Sequence, residues 1–335
     1  MAILRVCAFG LTRIAAEENC ETDCADLIQM RPAPLSHASA PDSMAGGLEI
    51  APGVRMPLVF NGISQDHSSW LALGGRGLDT ALLYGDVQQA AVGAAIVASG
   101  VPREEVFVTT KVVCCPTERC AFFCKSWPNK VGLPMNASVS EQFEHSLKLL
   151  GVSYVDLLLL HFPCSTLEAT MAAYAQLEAI HANGQARAIG VSNFNATLLE
   201  AFLPLAKVRP AVNQNALSIA GHPAAHDGRD TTCAEGSRLY GSDFETVEYS
   251  KQEGVTFAAY SPLGHISRVD VMGQPAVQQV AARLSRSPAQ IALRWLVQQG
   301  IPAVTATANP AHAAEDLDLF GWRLSGRDMR ELTAI

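Results

Sequence analysis

The stretch Gly77–Asp86 reads Gly-Leu-Asp-Thr-Ala-Leu-Leu-Tyr-Gly-Asp. A short apolar lead reaches Leu78, and two ionisable groups follow, Asp79 and Tyr84. Asp79 is expected to end a buried strand, and Tyr84 to open the helix that begins near Gly85. The pattern recurs downstream, where Val106–Thr110 ends on Lys111 and Val155–Leu160 ends on His161. Apolar strands do not normally finish on a carboxylate, an amine and an imidazole unless that edge of the sheet is wet or reactive.

Outward from that stretch, the chain from Leu48 onward alternates short β-rich runs with helical patterns. Leu48–Pro57, centred on Pro52-Gly53, reads as a hairpin. Strands are expected at Leu58–Gly62, Arg76–Thr80, Val106–Lys111, Tyr154–His161, Ala186–Asn193, Ala211–Gln214, Val255–Tyr260 and Ile301–Thr305. Helices are expected at Ser68–Leu73, Val87–Ser99, Ser140–Leu150, Thr166–Ala182, Ala196–Ala206, Phe244–Glu253 and Pro275–Gln299. The last of these is broken at Ser285–Pro288, and a final helix follows Ser325. Strands separated by helices in this way fit a single-domain (β/α)₈ TIM barrel better than a doubly wound sheet. No Gly-x-Gly-x-x-Gly follows a strand, which weakens the doubly wound reading further. No repeat of solenoid period is present.

At 335 residues and 49% hydrophobic, the chain can bury a large core, and one barrel would use nearly all of it. The formal charge of -8 comes with no basic stripe, which argues against a nucleic-acid partner. No apolar run reaches the roughly 18 residues that a membrane helix needs. Nine cysteines at irregular spacing, behind no convincing secretory segment, read as reduced thiols of an intracellular protein. Residues 1–47 are expected to be a disordered extension. Arg5 and Arg13 hint at a transit sequence, but Glu17, Glu18, Glu21 and Asp23 oppose it, and Arg31–Gly47 has the composition of a loose linker.

Seven of the eight expected strands end in something polar: Asp79, Lys111, His161, Ser192-Asn193, Gln214, Tyr260-Ser261 and Thr305. In a barrel those ends converge on one rim, where active sites sit. A lone Lys or His there would be an ordinary rim residue, but seven polar ends together are hard to dismiss. A phenol is a poor acid at neutral pH, and a neighbouring ammonium is expected to lower its pKa. A carboxylate beside the Lys keeps it charged and oriented, and an imidazole can hydrogen-bond a substrate oxygen. The set Asp79, Tyr84, Lys111 and His161 therefore suits proton donation to a carbonyl that is receiving hydride. It includes no activated Ser or Cys nucleophile and no metal triad.

From Leu48 to the C-terminus the chain resembles the aldo-keto reductase family. The matching stretches are Gly77–Gly85, Ser99–Lys111, Leu149–Pro163, Gly184–Phe194, Ala211–Gln214 and Ala259–Gly264. The resemblance implies a TIM barrel that binds a nicotinamide cofactor without a Rossmann domain. It implies a tetrad of Asp79, Tyr84 as proton donor, Lys111 and His161. It places the cofactor carboxamide on Ser192, Asn193 and Gln214, and the nicotinamide face on Tyr260. Ser261 and Leu263 fall beside the pyrophosphate, and Glu315 and Asp316 on the adenine side, with Asp316 where the family usually has Asn.

The departures bear on the cofactor and on the substrate pocket. Where the family carries a Lys-Ser pair and an Arg for the NADP 2′-phosphate, this chain has Ala306, Thr307 and His312. Two cations are missing, and phosphate recognition leans on such cations. Thr305, Thr307 and a protonated His312 could partly substitute, so NADP(H) is favoured over NAD(H) on the family's pattern. Ile63-Ser64 replaces an early Thr-Trp, which removes a pocket aromatic, and no long C-terminal loop is expected after the last helix. Two insertions fall on the expected rim. Val112–Ala137 holds Cys114, Cys115, Cys120 and Cys124, and Leu217–Asp243 holds His222, His226 and Cys233. The spacing matches no common zinc pairing, so no metal is expected. Two functional readings remain open at this point. One is a reductase of small aldehydes or ketones; the other is a non-catalytic, cofactor-binding regulatory subunit of the same fold. Either is expected to be a cytoplasmic monomer with a small-molecule ligand and no membrane partner.

Overall fold

The structure, a computed structural model, describes residues 46–335 except 65, 115–123, 125–126, 221–243 and 265–268. It opens with the expected hairpin, in which β1 (Leu48–Ala51) pairs antiparallel with β2 (Val54–Met56). Gly53 turns the hairpin at φ +71°, a conformation that glycine adopts without a Cβ clash. Eight parallel strands then close a barrel: β3 (Val59–Asn61), β4 (Gly77–Asp79), β5 (Phe107–Val112), β6 (Val155–Leu160), β7 (Ala186–Ser192), β8 (Val212–Ala216), β9 (Thr256–Tyr260) and β10 (Ala303–Thr305). Each pairs with its sequence neighbour, and β10 closes on β3 in the register Thr305↔Asn61. The chain thus forms the (β/α)₈ barrel that its alternation implies.

The lumen is filled by side chains from alternate positions of these strands, including Phe60, Phe107, Leu157, Leu159, Val212 and Ala258. Phe60 and Phe107 meet edge to face with ring centroids 5.6 Å apart. Met56 of the hairpin joins this cluster and is fully buried. Each such side chain contributes about 1.5–3 kcal/mol by leaving water. The packing is close enough to need a glycine at position 190, where a Cβ would lie 2.3 Å from the Val212 carbonyl oxygen. Gly190→Ala would therefore push β7 off β8.

The helices are α1 (His67–Ala72), α2 (Asp86–Ser99), α3 (Val139–Leu150), α4 (Leu167–Ala182), α5 (Ala196–Phe202), α6 (Phe244–Gln252), α7 (Pro275–Leu284), α8 (Pro288–Val297), α9 (Pro310–Leu317) and α10 (Gly326–Thr333). Local chemistry starts and stops them. Ser138 and Glu141 form a capping box at α3, and Gly151 ends that helix in the left-handed conformation. Ser287 and Gln290 cap α8, whose Pro288 occupies the first helical position and splits the predicted Pro275–Gln299 helix in two.

Several sequence expectations need correction. Tyr84 does not open α2; it ends a short 3₁₀ turn, Leu82–Tyr84, and Gly85 at φ +99° separates the two. Strand β5 runs one residue past Lys111 and β8 two past Gln214, because each keeps a paired neighbour, Leu160 and Tyr260. Helix α5 stops at Phe202 rather than Ala206. Helix α9 was not expected, although Asn309 caps it and Pro310 occupies its first position. Cys114 and Cys164 are not reduced thiols: they are joined by a disulfide across a Cα separation of 5.5 Å, within the ordinary range for such a bridge. The expected extension up to residue 45, Cys115 and Cys120, and His222, His226 and Cys233 of the second insertion lie outside the described residues. Among the described residues, no helix is long and apolar enough to cross a membrane, and no cluster of His, Cys, Asp and Glu could hold a metal ion.

Candidate active site

Strands β4, β5, β6 and β8 bring the candidate catalytic side chains together at one end of the barrel. Lys111, fully buried on β5, reaches across to β4 and forms an ion pair with Asp79. Its Nζ also donates to the Thr80 carbonyl at 3.1 Å and to the Tyr84 hydroxyl at 3.4 Å. The second carboxylate oxygen of Asp79 accepts from Gln214 Nε2 at 2.8 Å. All three donors of the ammonium are therefore used, and both oxygens of the buried carboxylate are satisfied, as charges removed from water require. The His161 and Tyr84 rings meet edge to face with centroids 5.9 Å apart, and Phe162 stacks on His161 at 4.5 Å. His161 Nδ1 is buried without a hydrogen-bond partner.

Burial and charge set the protonation states. Burial pushes the Tyr84 phenol above its ordinary 10.0; the Lys111 ammonium opposes this and the Asp79 carboxylate reinforces it. The expected net lowering of the phenol pKa is thus reversed, because desolvation of a phenolate outweighs one ammonium that Asp79 already neutralises. Burial disfavours the Lys111 ammonium, but Asp79 and Tyr84 overcome it and hold Lys111 above 10.5. Burial, with Lys111 adding to it, drives His161 well below 6.5. At neutral pH the constellation holds a protonated phenol, an ammonium and a neutral imidazole. A neutral imidazole can donate from one nitrogen, which an imidazolium beside Lys111 would do only against charge repulsion.

A second group, at the ends of β7, β8 and β9, adjoins the first. Ser192 Oγ donates to the Gln214 carbonyl at 2.6 Å and accepts from Asn193 Nδ2 at 3.1 Å. Asn193 Nδ2 also donates to the His161 carbonyl at 2.9 Å, and its Oδ1 accepts from the Tyr260 hydroxyl at 2.7 Å. Asn193 has φ +64°, an uncommon value for a residue with a Cβ, and these bonds on both ends of its carboxamide hold it there. Ser261 repeats the feature at φ +52°, and Leu263 follows it, both half-buried. Gln214 spends one of the two N–H donors of its amide on Asp79, which fixes the orientation of its carboxamide. The carboxamide-and-hydroxyl set thus offers both donors and acceptors, which suits a carboxamide ligand.

A third group lies at β10 and α9. Thr305 Oγ1 donates to Asp316 Oδ2 at 3.2 Å. Burial raises the Asp316 carboxyl to about 6, while Thr305 and His312 pull the other way. Ser64 Oγ donates to the Thr307 carbonyl at 2.6 Å. Ala306 and His312 are exposed, and Thr307 and Glu315 are half-buried. Residues 303–318 contain no Lys or Arg. The first two groups therefore form one hydrogen-bonded network, and the third stands apart from it.

Sequence reasoning missed the supports behind these residues. Thr110 Oγ1 donates to Gln89 at 3.0 Å, and Gln89 Nε2 donates to Ser146 Oγ at 3.2 Å, in a buried chain behind β5. Gln142 grips the peptide flanked by Lys111's successors: its Oε1 accepts from Val113 N, and its Nε2 donates to Val113 O, both at 2.9 Å. Polar residues buried on helix faces were the available signal.

A family model for the aldo/keto reductase family matches residues 68–335. The chain belongs to that family. This aldo/keto reductase is an oxidoreductase by kinship. It is 35% identical over 265 residues to an aldo-keto reductase of Mycolicibacterium paratuberculosis, covering 79% of this chain and 78% of that one. It is 30% identical over 289 residues to a Trypanosoma cruzi protein named 9,11-endoperoxide prostaglandin H2 reductase, covering 83% and 87%. Among solved structures, an aldo/keto reductase from Brucella melitensis superimposes with a TM-score of 0.67 at 26% identity, over 86% of this chain and 96% of that one.

Proposed function

We propose that this aldo/keto reductase reduces an aldehyde or ketone with a nicotinamide cofactor, and that Tyr84 donates the proton. The observation that carries the reading is the buried Asp79–Lys111–Tyr84 chain with the His161 ring perpendicular to the phenol. As hydride reaches the carbonyl carbon, negative charge develops on its oxygen, and a protonated phenol delivers a proton there. The phenolate left behind sits 3.4 Å from the Lys111 ammonium, which stabilises it. Asp79 keeps that ammonium charged and fixed in direction. Neutral His161 orients the carbonyl oxygen by a hydrogen bond. A bare scaffold has no use for a buried ammonium beside a phenol, so the enzyme reading is preferred to a regulatory subunit.

The cofactor's part is to supply the hydride. Ser192, Asn193 and Gln214 would hold its carboxamide, with Tyr260 against the nicotinamide ring. Ser261 and Leu263 would border the pyrophosphate, and Glu315 and Asp316 the adenine. Ala306, Thr307 and His312 would face a 2′-phosphate with no fixed cation among them, so NADP(H) is favoured only modestly over NAD(H). The test is titration with NADPH and NADH by quenching of intrinsic fluorescence, followed by turnover across a panel of aldehydes and ketones. Binding of a nicotinamide cofactor with carbonyl-dependent oxidation of it is the expected result. Binding without turnover of any carbonyl would favour the regulatory subunit, and absence of binding would remove both.

A further inference from the structure

We propose that Gln89 is a positioning residue for the reaction: its buried carboxamide ties the turn that carries Tyr84 to the strand that carries Lys111, and so sets the phenol–ammonium separation. The inference rests on the reading of this site as a carbonyl reductase. Lys111 is anchored independently of the phenol, by Asp79 on β4 and by the Thr80 carbonyl just past it. Tyr84 is held less firmly. Its hydroxyl meets the ammonium at 3.4 Å, a long hydrogen bond, and its ring rides on the 3₁₀ turn Leu82–Tyr84. Gly85 follows at φ +99°, a joint with wide conformational freedom. The angle at that joint is set by whatever anchors the first turn of α2.

Gln89 occupies that turn. Its backbone N–H donates to the Gly85 carbonyl at 3.2 Å, and its fully buried side chain turns toward β5. There its Oε1 accepts from Thr110 Oγ1 at 3.0 Å, and Thr110 is the residue before Lys111. Side chains alternate along a strand, so Thr110 faces the helices while Lys111 faces the barrel interior. Among the described residues, this is the side-chain hydrogen bond that joins α2 to β5. Asp86, the first residue of α2, lies 2.9 Å from His145 Nε2, but that contact joins α2 to α3 and leaves β5 untouched.

The other end of the amide is backed by α3. Gln89 Nε2 donates to Ser146 Oγ at 3.2 Å, and Ser146 Oγ donates to the Gln142 carbonyl at 3.0 Å. Helix α2 lies directly on α3 here, since a Cβ at Gly93 would fall 2.5 Å from the Leu150 carbonyl oxygen. Gln142 in turn grips Val113 through both ends of its own carboxamide. Thr110 and Val113, on either side of Lys111, are therefore both referred to α3, the first of them through Gln89. The ammonium stabilises the phenolate that forms as the proton leaves, and that stabilisation depends on their separation. Loosening Gln89 frees the Tyr84 turn to pivot at Gly85 while Lys111 stays in place.

The test uses the full chain. Gln89→Leu and Thr110→Val each remove the bond at nearly constant volume, whereas Thr110→Ser keeps the hydroxyl. Tyr174→Phe is the control for lost stability, because it deletes a hydrogen bond to the Val208 carbonyl ahead of β8, at the other end of the barrel. Two things are read: kcat and KM beside cofactor titration, and carbon NMR of protein labelled at the hydroxyl-bearing ring carbon of tyrosine. The chain has six tyrosines, and the signal missing from Tyr84→Phe is that of Tyr84. Gln89→Leu and Thr110→Val should both move the Tyr84 signal, lower kcat about tenfold or more, and change cofactor affinity less than about twofold. Thr110→Ser and Tyr174→Phe should leave the Tyr84 signal and kcat as in the native enzyme. An unmoved Tyr84 signal in folded Gln89→Leu or Thr110→Val would overturn the proposal, as would an equal loss of kcat in Tyr174→Phe. Failure of both variants to fold would also overturn it, since the bond would then serve the fold rather than the phenol. A Tyr84 signal that moves as expected supports the tie even where the native chain turns over no carbonyl, and in that case it is the catalytic reading that fails.

Discussion

Replacing Lys111 with Met tests the electrostatic core of the site. In the native arrangement the ammonium lies 3.4 Å from the phenol oxygen and is ion-paired with Asp79. At an effective permittivity of about 20, a full ammonium–phenolate pair at that separation is worth about 5 kcal/mol. With the phenolate half formed in the transition state, about 2.4 kcal/mol is lost, or roughly 60-fold in kcat. The same substitution leaves the buried Asp79 carboxylate with Gln214 as its hydrogen-bond donor, and breaking a buried pair costs about 3–5 kcal/mol of stability. The assay is single-turnover oxidation of the reduced cofactor at saturating carbonyl, with urea unfolding of the same preparations. Asp79→Asn combined with Lys111→Met should recover most of the stability and none of the rate. A Lys111→Met enzyme whose single-turnover rate stays within twofold of the native one would refute the reasoning, since the ammonium would then stabilise no developing phenolate.

Asp316, raised by burial to about 6 from an ordinary 3.8, binds its proton more tightly folded than unfolded. It therefore contributes stability that is complete below about pH 4 and lost as pH rises through 6, about 3 kcal/mol in all, and Asp316→Asn should abolish that slope in denaturation measured from pH 4 to 7. Ala306→Lys with His312→Arg should tighten NADPH and leave NADH almost unchanged in fluorescence titrations. Each new charge-assisted bond to a 2′-phosphate is worth about 1.5–3 kcal/mol. A native enzyme that already rejects NADH by orders of magnitude would show that other residues hold the phosphate. A chain beginning at Gly46 should fold and turn over as the full chain does; an unfolded or inactive truncation would show that the first 45 residues belong to the working domain.

The barrel was legible because strands buried on both faces read as continuous apolar runs, and Leu157–Leu160 in β6 is the plainest case. The candidate residues stood out because seven polar strand ends converge on one rim, where any one of them alone would be an ordinary rim residue. What the sequence hid was long-range pairing. Nothing local to Gln214 reveals that its amide is bound to Asp79 on β4. The disulfide was hidden for the same reason, since Cys114 and Cys164 are 50 residues apart and meet only through the β5–β6 pairing. The pKa of Tyr84 was misjudged because a sequence shows that a lysine is near but not how deeply the phenol is buried. Helix α9 escaped because its eight residues carry too short an apolar pattern, although its Asn-Pro start was visible.

The central claim is that Tyr84 gives its proton to the carbonyl oxygen while hydride arrives at the carbon. Tyr84→Phe removes one hydroxyl and leaves the Ser192–Asn193–Gln214–Tyr260 network untouched. Measured by single-turnover kinetics beside cofactor titration, that variant should bind reduced cofactor within about twofold of the native enzyme and reduce a carbonyl at least about 10²–10⁴-fold more slowly. Near-native reduction by Tyr84→Phe would contradict the account, because the proton would then come from another group.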